Sequence, residues 1–82
     1  MIRICYFARY RELLGIADEQ LEWLPHLSSI EDLRRVLISR GGAWSALTDS
    51  TLMYARNSEM CSACEPVSDG DEIAFFPQVT GG

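Results

Sequence analysis

The chain's 82 residues are 48% hydrophobic and 23% charged, and 7 basic against 12 acidic residues leave a net charge of -5. One domain of this size buries roughly 60% of the surface its unfolded chain exposes, leaving little material for a deep catalytic cleft beside the core. Its acidic surface repels phosphate, which disfavours nucleic acid and anionic membranes as partners, and no apolar run approaches the ~18 residues a membrane span requires.

Residues 1–7 alternate and soon meet charge, unlike a secretion signal. Ile2, Ile4 and Tyr6 interleave with Arg3, Cys5 and Phe7, so the first element reads as a strand with two distinct faces. Residues 8–14 predict a short helix stopped by Gly15. Residues 19–24 read as a second strand, with Leu21 and Trp23 on one face and Pro25 ending it. The most strongly marked element follows. Ser28 precedes Glu31 by three and Ser29 precedes Asp32 by three, both capping-box spacings. Ile30, Leu33, Val36 and Leu37 then form one apolar stripe, with Arg34 and Arg35 on the expected solvent face. Arg40 and the pair Gly41-Gly42 mark the helix end.

Residues 43–48 predict a further helical turn carrying Trp44 and Leu47, and both tryptophans are assigned to the core. Strands are expected at 52–56, 59–61 and 72–76. Asn57-Ser58 is the turn between the first two, and Ser68-Asp69-Gly70-Asp71 is a tight turn before the last. One main helix among four to five short strands makes an α+β domain. A mixed sheet wrapped around that helix satisfies both apolar periods with one core, which is the β-grasp, or ubiquitin-like, arrangement. This domain is expected over residues 1–77, with 78–82 as a flexible tail ending in Gly-Gly.

A sheet covered by a helix on one side keeps an outer face. If Ile2, Ile4 and Tyr6 point to the helix, Cys5 and Phe7 point away. Ile73 and Phe75 inward likewise place Ala74 and Phe76 outside. Phe7 and Phe76, with Met60, are therefore a candidate docking patch, and cover by a loop is the alternative.

Three cysteines, with no secretion signal, read as reduced thiols in a cytoplasmic protein. Cys61-Ser62-Ala63-Cys64 is a Cys-x-x-Cys, yet His26 follows Pro25 in a turn, and Cys5 sits on a strand face with no second ligand near it in sequence. No metal site is assigned, and three small thiols are the simpler reading. Asp69, Asp71 and Glu72 read as a solvated acidic turn, and His26 as a surface turn residue. All 7 basic residues are arginine, so the side chains offer no primary amine to an activated acyl group.

The run Asp69-Gly70-Asp71-Glu72-Ile73-Ala74-Phe75-Phe76-Pro77-Gln78-Val79-Thr80-Gly81-Gly82 closely resembles the C-terminus of the small, sulfur-carrying subunits of molybdopterin synthases. Tyr6-Phe7-Ala8-Arg9 with Arg11-Glu12-Leu13-Leu14-Gly15, and Arg40-Gly41-Gly42-Ala43-Trp44, are similar to the opening and middle of that family. The likeness spans nearly the whole chain. It departs from the family at Pro77-Gln78, where Pro-Pro is common, and at Ala55-Arg56-Asn57-Ser58.

The resemblance implies that an ATP-dependent adenylating enzyme activates the Gly82 carboxylate, and that a sulfur donor protein converts it to a thiocarboxylate. The large synthase subunit then receives the tail, and sulfur passes to a pterin precursor, with two carriers flanking a dimer of large subunits. No cofactor is expected on the chain itself, since the activating enzyme uses the ATP. Gly81 and Gly82 have no side chains, so this arm is narrow enough to enter another protein's site. Val79 and Thr80 are expected to fill space just outside it, while Pro77 stiffens the exit from the sheet. Together with Phe7, Met60 and Phe76 they make the expected partner contacts, and Gly82 and Gly81 carry the chemistry. The alternatives are a related carrier for thiamine synthesis and a β-grasp interaction module without terminal chemistry. The run Phe75-Phe76-Pro77 and the chain length argue against the thiamine carrier.

Overall fold

The computed structural model describes residues 1–78. Strand β1 (Ile2–Tyr6) forms where the alternation predicts it and buries Ile2, Ile4 and Tyr6. Helix α1 (Arg9–Leu14) follows and is stopped by Gly15 at φ 75°, a left-handed cap that favours glycine. Strand β2 (Asp18–Leu21) is shorter than its apolar pattern. Its pairing with β1 runs from Cys5↔Asp18 to Ile2↔Leu21, and there β1 itself begins. Trp23 nevertheless packs against the core from beyond the strand.

Helix α2 (Ile30–Ile38) starts at Ser29, which uses one of the two capping-box spacings. The Asp32 N–H donates to Ser29 Oγ at 3.3 Å, and Asp32 Oδ2 accepts from the Ser29 N–H at 3.2 Å. Ser28 donates to the same carboxylate oxygen, which leaves Glu31 free for Arg34. The N–H groups of Ile30 and Glu31 donate to the carbonyls of Glu65 and Ala63, so the loop after β4 satisfies donors a helix start leaves open. The stripe faces inward through Ile30, Leu33 and Leu37, with Val36 half-buried at its margin.

Arg34 is not on a solvent face. Its Nε donates to the Leu47 carbonyl at 2.6 Å and its Nη1 to Glu31 at 2.7 Å, tying α2 to the next element. Arg35 is exposed, as expected. The helix also ends earlier than the glycine pair. Ser39 caps it in a right-handed conformation, and Gly41 and Gly42, at φ 80° and 57°, lead the chain into a 3₁₀ helix (Gly42–Thr48) that buries Leu47.

Strands β3 (Met53–Arg56) and β4 (Glu59–Cys61) form a hairpin across Asn57 and Ser58. Both turn residues lie at positive φ, 50° and 72°, as the tightest hairpin loops require. Strand β5 (Glu72–Phe76) completes a five-stranded sheet of order β2-β1-β5-β3-β4. Only the central pair, β1 and β5, is parallel. The core is the inner face of the sheet, from Ile2, Ile4, Tyr6, Ile73 and Phe75, closed by α2, Tyr10 and Leu47. This is the expected β-grasp. No described helix is long and apolar enough to cross a membrane.

Two polar clusters pin the periphery. The buried Tyr6 hydroxyl donates to Glu19 at 2.8 Å, and Glu19 also accepts from both terminal nitrogens of Arg40 at 2.8 Å. Burial, followed by the Glu19 carboxylate, pushes the Tyr6 hydroxyl far above its ordinary range, so it is a fixed donor. Arg40 in turn lies 4.4 Å from the Trp44 ring centroid.

The second cluster corrects the reading of the acidic turn. Asp71 is buried rather than solvated, and it accepts from Arg56 Nε (2.8 Å), Asn57 Nδ2 (3.0 Å) and the Ser68 N–H (2.7 Å). Burial alone would raise its pKa, but the hydrogen bonds from Asn57, Ser68 and Arg56 outweigh it and hold the carboxylate below the ordinary range. Asp69 and Glu72 are exposed, as expected.

Candidate functional site: the outer sheet face and the chain exit

Strand register decides which side chains share the face opposite α2. Residues paired across neighbouring strands point to the same side of a sheet. One row of the outer face therefore reads Cys5, Ala74, Ala55 and Met60, from Cys5↔Ala74, Ala55↔Ala74 and Ala55↔Met60. A second row contains Phe76 and Met53, paired across β5 and β3. Phe7 lies one residue past β1, on the period-two side of Cys5, and its N–H donates to the Phe75 carbonyl at 3.1 Å. The centre of the face is thus small side chains, and larger apolar ones flank it.

Phe7 is 50% exposed and Met60 59%, so neither is covered by a loop of the described residues. Phe76 and Met53 are half-buried, and Cys5 and Ala55 are nearly closed off beneath their neighbours. The surface is apolar, with Arg3 and Glu72 paired at its polar end. The Cys5 thiol is no nucleophile there. Burial, with the Glu72 carboxylate adding to it, raises its pKa and keeps it protonated.

Strand β5 supplies the exit. Flanked by β1 and β3, it ends at Phe76, and half-buried Pro77 and exposed Gln78 follow. The apolar face and the exit therefore share one end of the sheet. Of the expected site residues, Phe7, Met60, Phe76 and Pro77 are placed in this region. Val79, Thr80, Gly81 and Gly82 lie outside the described residues. Met53 is an addition from register: no alternation in the sequence reveals which side of β3 faces outward until its pairing with β5 is known.

The cysteines are not brought together by the fold. Cys5 is on the outer face of β1. Cys61 pairs with Tyr54, whose own partner is the inward Phe75, so it belongs to the opposite face, and Cys64 is exposed in the following turn. Among the described residues no three His, Cys, Asp or Glu side chains are grouped to hold a metal ion.

A family model described as the ThiS family matches residues 4–82. The chain belongs to the ThiS family. This ThiS-family chain is 40% identical over 83 residues to the molybdopterin synthase sulfur carrier subunit of Escherichia coli (strain K12), with 100% of both chains covered. Its fold matches the crystal structure of SAMP1 from Haloferax volcanii with a TM-score of 0.80 at 23% identity, covering 99% of this chain and 98% of that one. It also matches a chain of the complex of subunits 1 and 2 of molybdopterin-converting factor from Helicobacter pylori 26695. There the TM-score is 0.67 at 20% identity, over 99% and 97% of the chains.

Proposed function

We propose that this chain is the sulfur-carrier subunit of a molybdopterin synthase, donating sulfur from a Gly82 thiocarboxylate to a pterin precursor in molybdenum cofactor biosynthesis. The observation that carries this reading is full-length identity of 40% to a sulfur carrier of that enzyme, in a chain whose last residues are Gly81-Gly82. The placement of an apolar face beside the strand that leads to those residues supports it.

The chemistry explains why activation is required. A carboxylate repels nucleophiles, so an adenylating enzyme must first convert it: a Gly82 carboxylate oxygen attacks the α-phosphorus of ATP, and pyrophosphate leaves. The terminal sulfur of a persulfide on a sulfur donor protein then attacks the acyl carbon, AMP departs with the bonding pair, and a thiol reductant cleaves the S–S bond of the resulting acyl disulfide to leave the thiocarboxylate. The resulting thiocarboxylate carries a soft, polarisable sulfur, the property that makes thiolates good nucleophiles. In this reading the outer face, through Phe7, Met60, Met53 and Phe76, docks the large synthase subunit, and Pro77, Val79 and Thr80 lead Gly82 into its active site. The chain carries sulfur and the large subunit supplies the pterin site. ATP serves the adenylating enzyme and is not a cofactor of the carrier.

The test is loading. Incubated with the host's adenylating enzyme, ATP and a sulfur source, the chain is expected to gain the mass of one sulfur exchanged for one oxygen. Deleting Gly82 is expected to abolish the gain while leaving thermal stability unchanged. An unchanged intact mass, under conditions that load a control carrier, would mean a β-grasp interaction module without terminal chemistry.

A further inference from the structure

The outer face has two unlike ends. Phe76 and Met53 mark the end where the chain leaves β5, while Gln20, Arg3 and Glu72 lie in register at the other. The four steps along β5 from Glu72 to Phe76 span roughly 13 Å. At the polar end the charges do not cancel. Arg3 lies across from Glu72, but its guanidinium turns to the opposite neighbour and donates to Asp18 at 3.3 Å. Arg56 on β3 is held by Asp71 and Glu65. Among the described residues no ion pair engages Glu72.

Glu72 is nevertheless set in place. Its N–H donates to Asn57 Oδ1 at 2.9 Å, and its carbonyl accepts from the Asn57 N–H at 2.8 Å. The same Asn57 donates its side-chain amide to buried Asp71, so the backbone that carries the carboxylate is clamped on the β3 side. The carboxylate leans over the face rather than off its edge. The thiol of Cys5, which shares the central row with Ala74, lies 3.9 Å from Glu72 Oε1 as a weak donor. A partner that covers Cys5 and Ala74 therefore covers this carboxylate too. Taking an ionised carboxylate out of water is costly unless a cation meets it. The chain's net charge of -5 favours a basic partner in the same sense.

We infer that Glu72 is the orienting contact of the outer face, taking an arginine or lysine side chain of the large synthase subunit that lies roughly 13 Å from the point where Phe76 docks. Apolar burial is non-directional, so Phe7, Phe76, Met53 and Met60 alone leave a partner free to sit either way round. One charge pair at one end excludes the reversed arrangement, in which the cation meets the apolar end and Glu72 is buried alone. The inference rests on the sulfur-carrier reading, which supplies the partner, and its test separates the two. The full chain is titrated calorimetrically with the host's large subunit at about 50 and about 500 mM NaCl, the second of which screens an exposed pair strongly.

Glu72→Gln, at an exposed position and with a parent-like melting temperature, should raise Kd about tenfold at low salt and remove most of the salt dependence. Glu72→Arg sets like charges together and should raise Kd about 100-fold. Glu12→Gln removes the same charge from an exposed position of α1, away from the outer face, and should leave Kd unchanged. The inference falls if Glu72→Gln binds as tightly as the parent, or if Glu72→Arg binds no more weakly than Glu72→Gln. Equal weakening by Glu12→Gln would overturn it as well, since net charge alone would then explain the effect. So would a parent that self-associates through this face, with Glu72→Gln altering that dimer but not the complex. Sulfur loading at Gly82 is read without the large subunit, so each of these failures leaves the sulfur-carrier reading standing.

Discussion

If the outer face docks the large synthase subunit, truncating Phe7 must weaken that complex without weakening the fold. Phe7 is 50% exposed, so docking has about half of its surface left to bury, on the order of 100 Å² of the roughly 200 Å² an aromatic side chain presents. At ~25 cal/mol/Å² that surface is worth ~2.5 kcal/mol, and an alanine retains a small part of it. Phe7→Ala should therefore cost ~2 kcal/mol of binding, an increase of about 30-fold in Kd. The backbone N–H of Phe7, which donates to Phe75, is untouched by the substitution. Stability should move by no more than ~0.5 kcal/mol, as at other exposed sites.

Titration calorimetry against the large subunit, paired with a thermal melt, reads both quantities. Leu13 is the control, because it is 55% exposed yet sits on α1, away from the outer face. Leu13→Ala should leave Kd unchanged. A Kd for Phe7→Ala within about threefold of the parent, less than ~0.7 kcal/mol, at an unchanged melting temperature would refute the assignment of this face. Equal losses from Phe7→Ala and Leu13→Ala would refute its specificity.

Asp71→Ala removes an acceptor from Arg56, Asn57 and the Ser68 N–H; with one bond charge-assisted, it should cost about 3 kcal/mol and lower the melting temperature by roughly 15 °C. Glu19 and Asp71 both have depressed pKa values, Glu19 through Arg40 and Tyr6 against the opposing effect of burial, and Asp71 through hydrogen bonds that overcome burial. Their stabilisation is present above the unfolded carboxylate range and is lost as pH falls below about 4 through the lower folded values. Denaturant melts across that range should show the loss, and Glu19→Gln should flatten the slope. Ala8 occupies φ 51° and ψ -128° between β1 and α1, a conformation that suits glycine. Ala8→Gly should raise stability by about 0.5–1 kcal/mol, and a fall in the urea midpoint would contradict the strain.

Local periodicity made most of the architecture legible. Alternation at Ile2, Ile4 and Tyr6 and the stripe of α2 each follow from a single element's own geometry, and both appear where expected. The bounds of β4 and β5 also agree with the sequence reading. What the sequence hid was set by partners distant along the chain. The length of β2 depends on where β1 begins. Arg34 looks solvated on a helical wheel, yet the Leu47 carbonyl recruits it. Asp71 looks like a turn residue until Arg56 and Asn57 arrive from the β3–β4 hairpin. Met53 joins the outer face through a register that only the pairing with β5 determines.

The same dependence on register bears on function. A strand shifted by one residue exchanges its two faces, so the outer row cannot be altered without exposing the core row. In β5 those rows are Ala74 and Phe76 outside, and Ile73 and Phe75 inside. Parallel pairing with β1 and antiparallel pairing with β3 hold β5 from both sides, and Pro77 follows at once. The distance from the outer face to the start of the last six residues is therefore fixed by core packing. A carrier that must present one carbonyl carbon to a partner's active site needs that distance fixed, and the core that folds the chain also sets it.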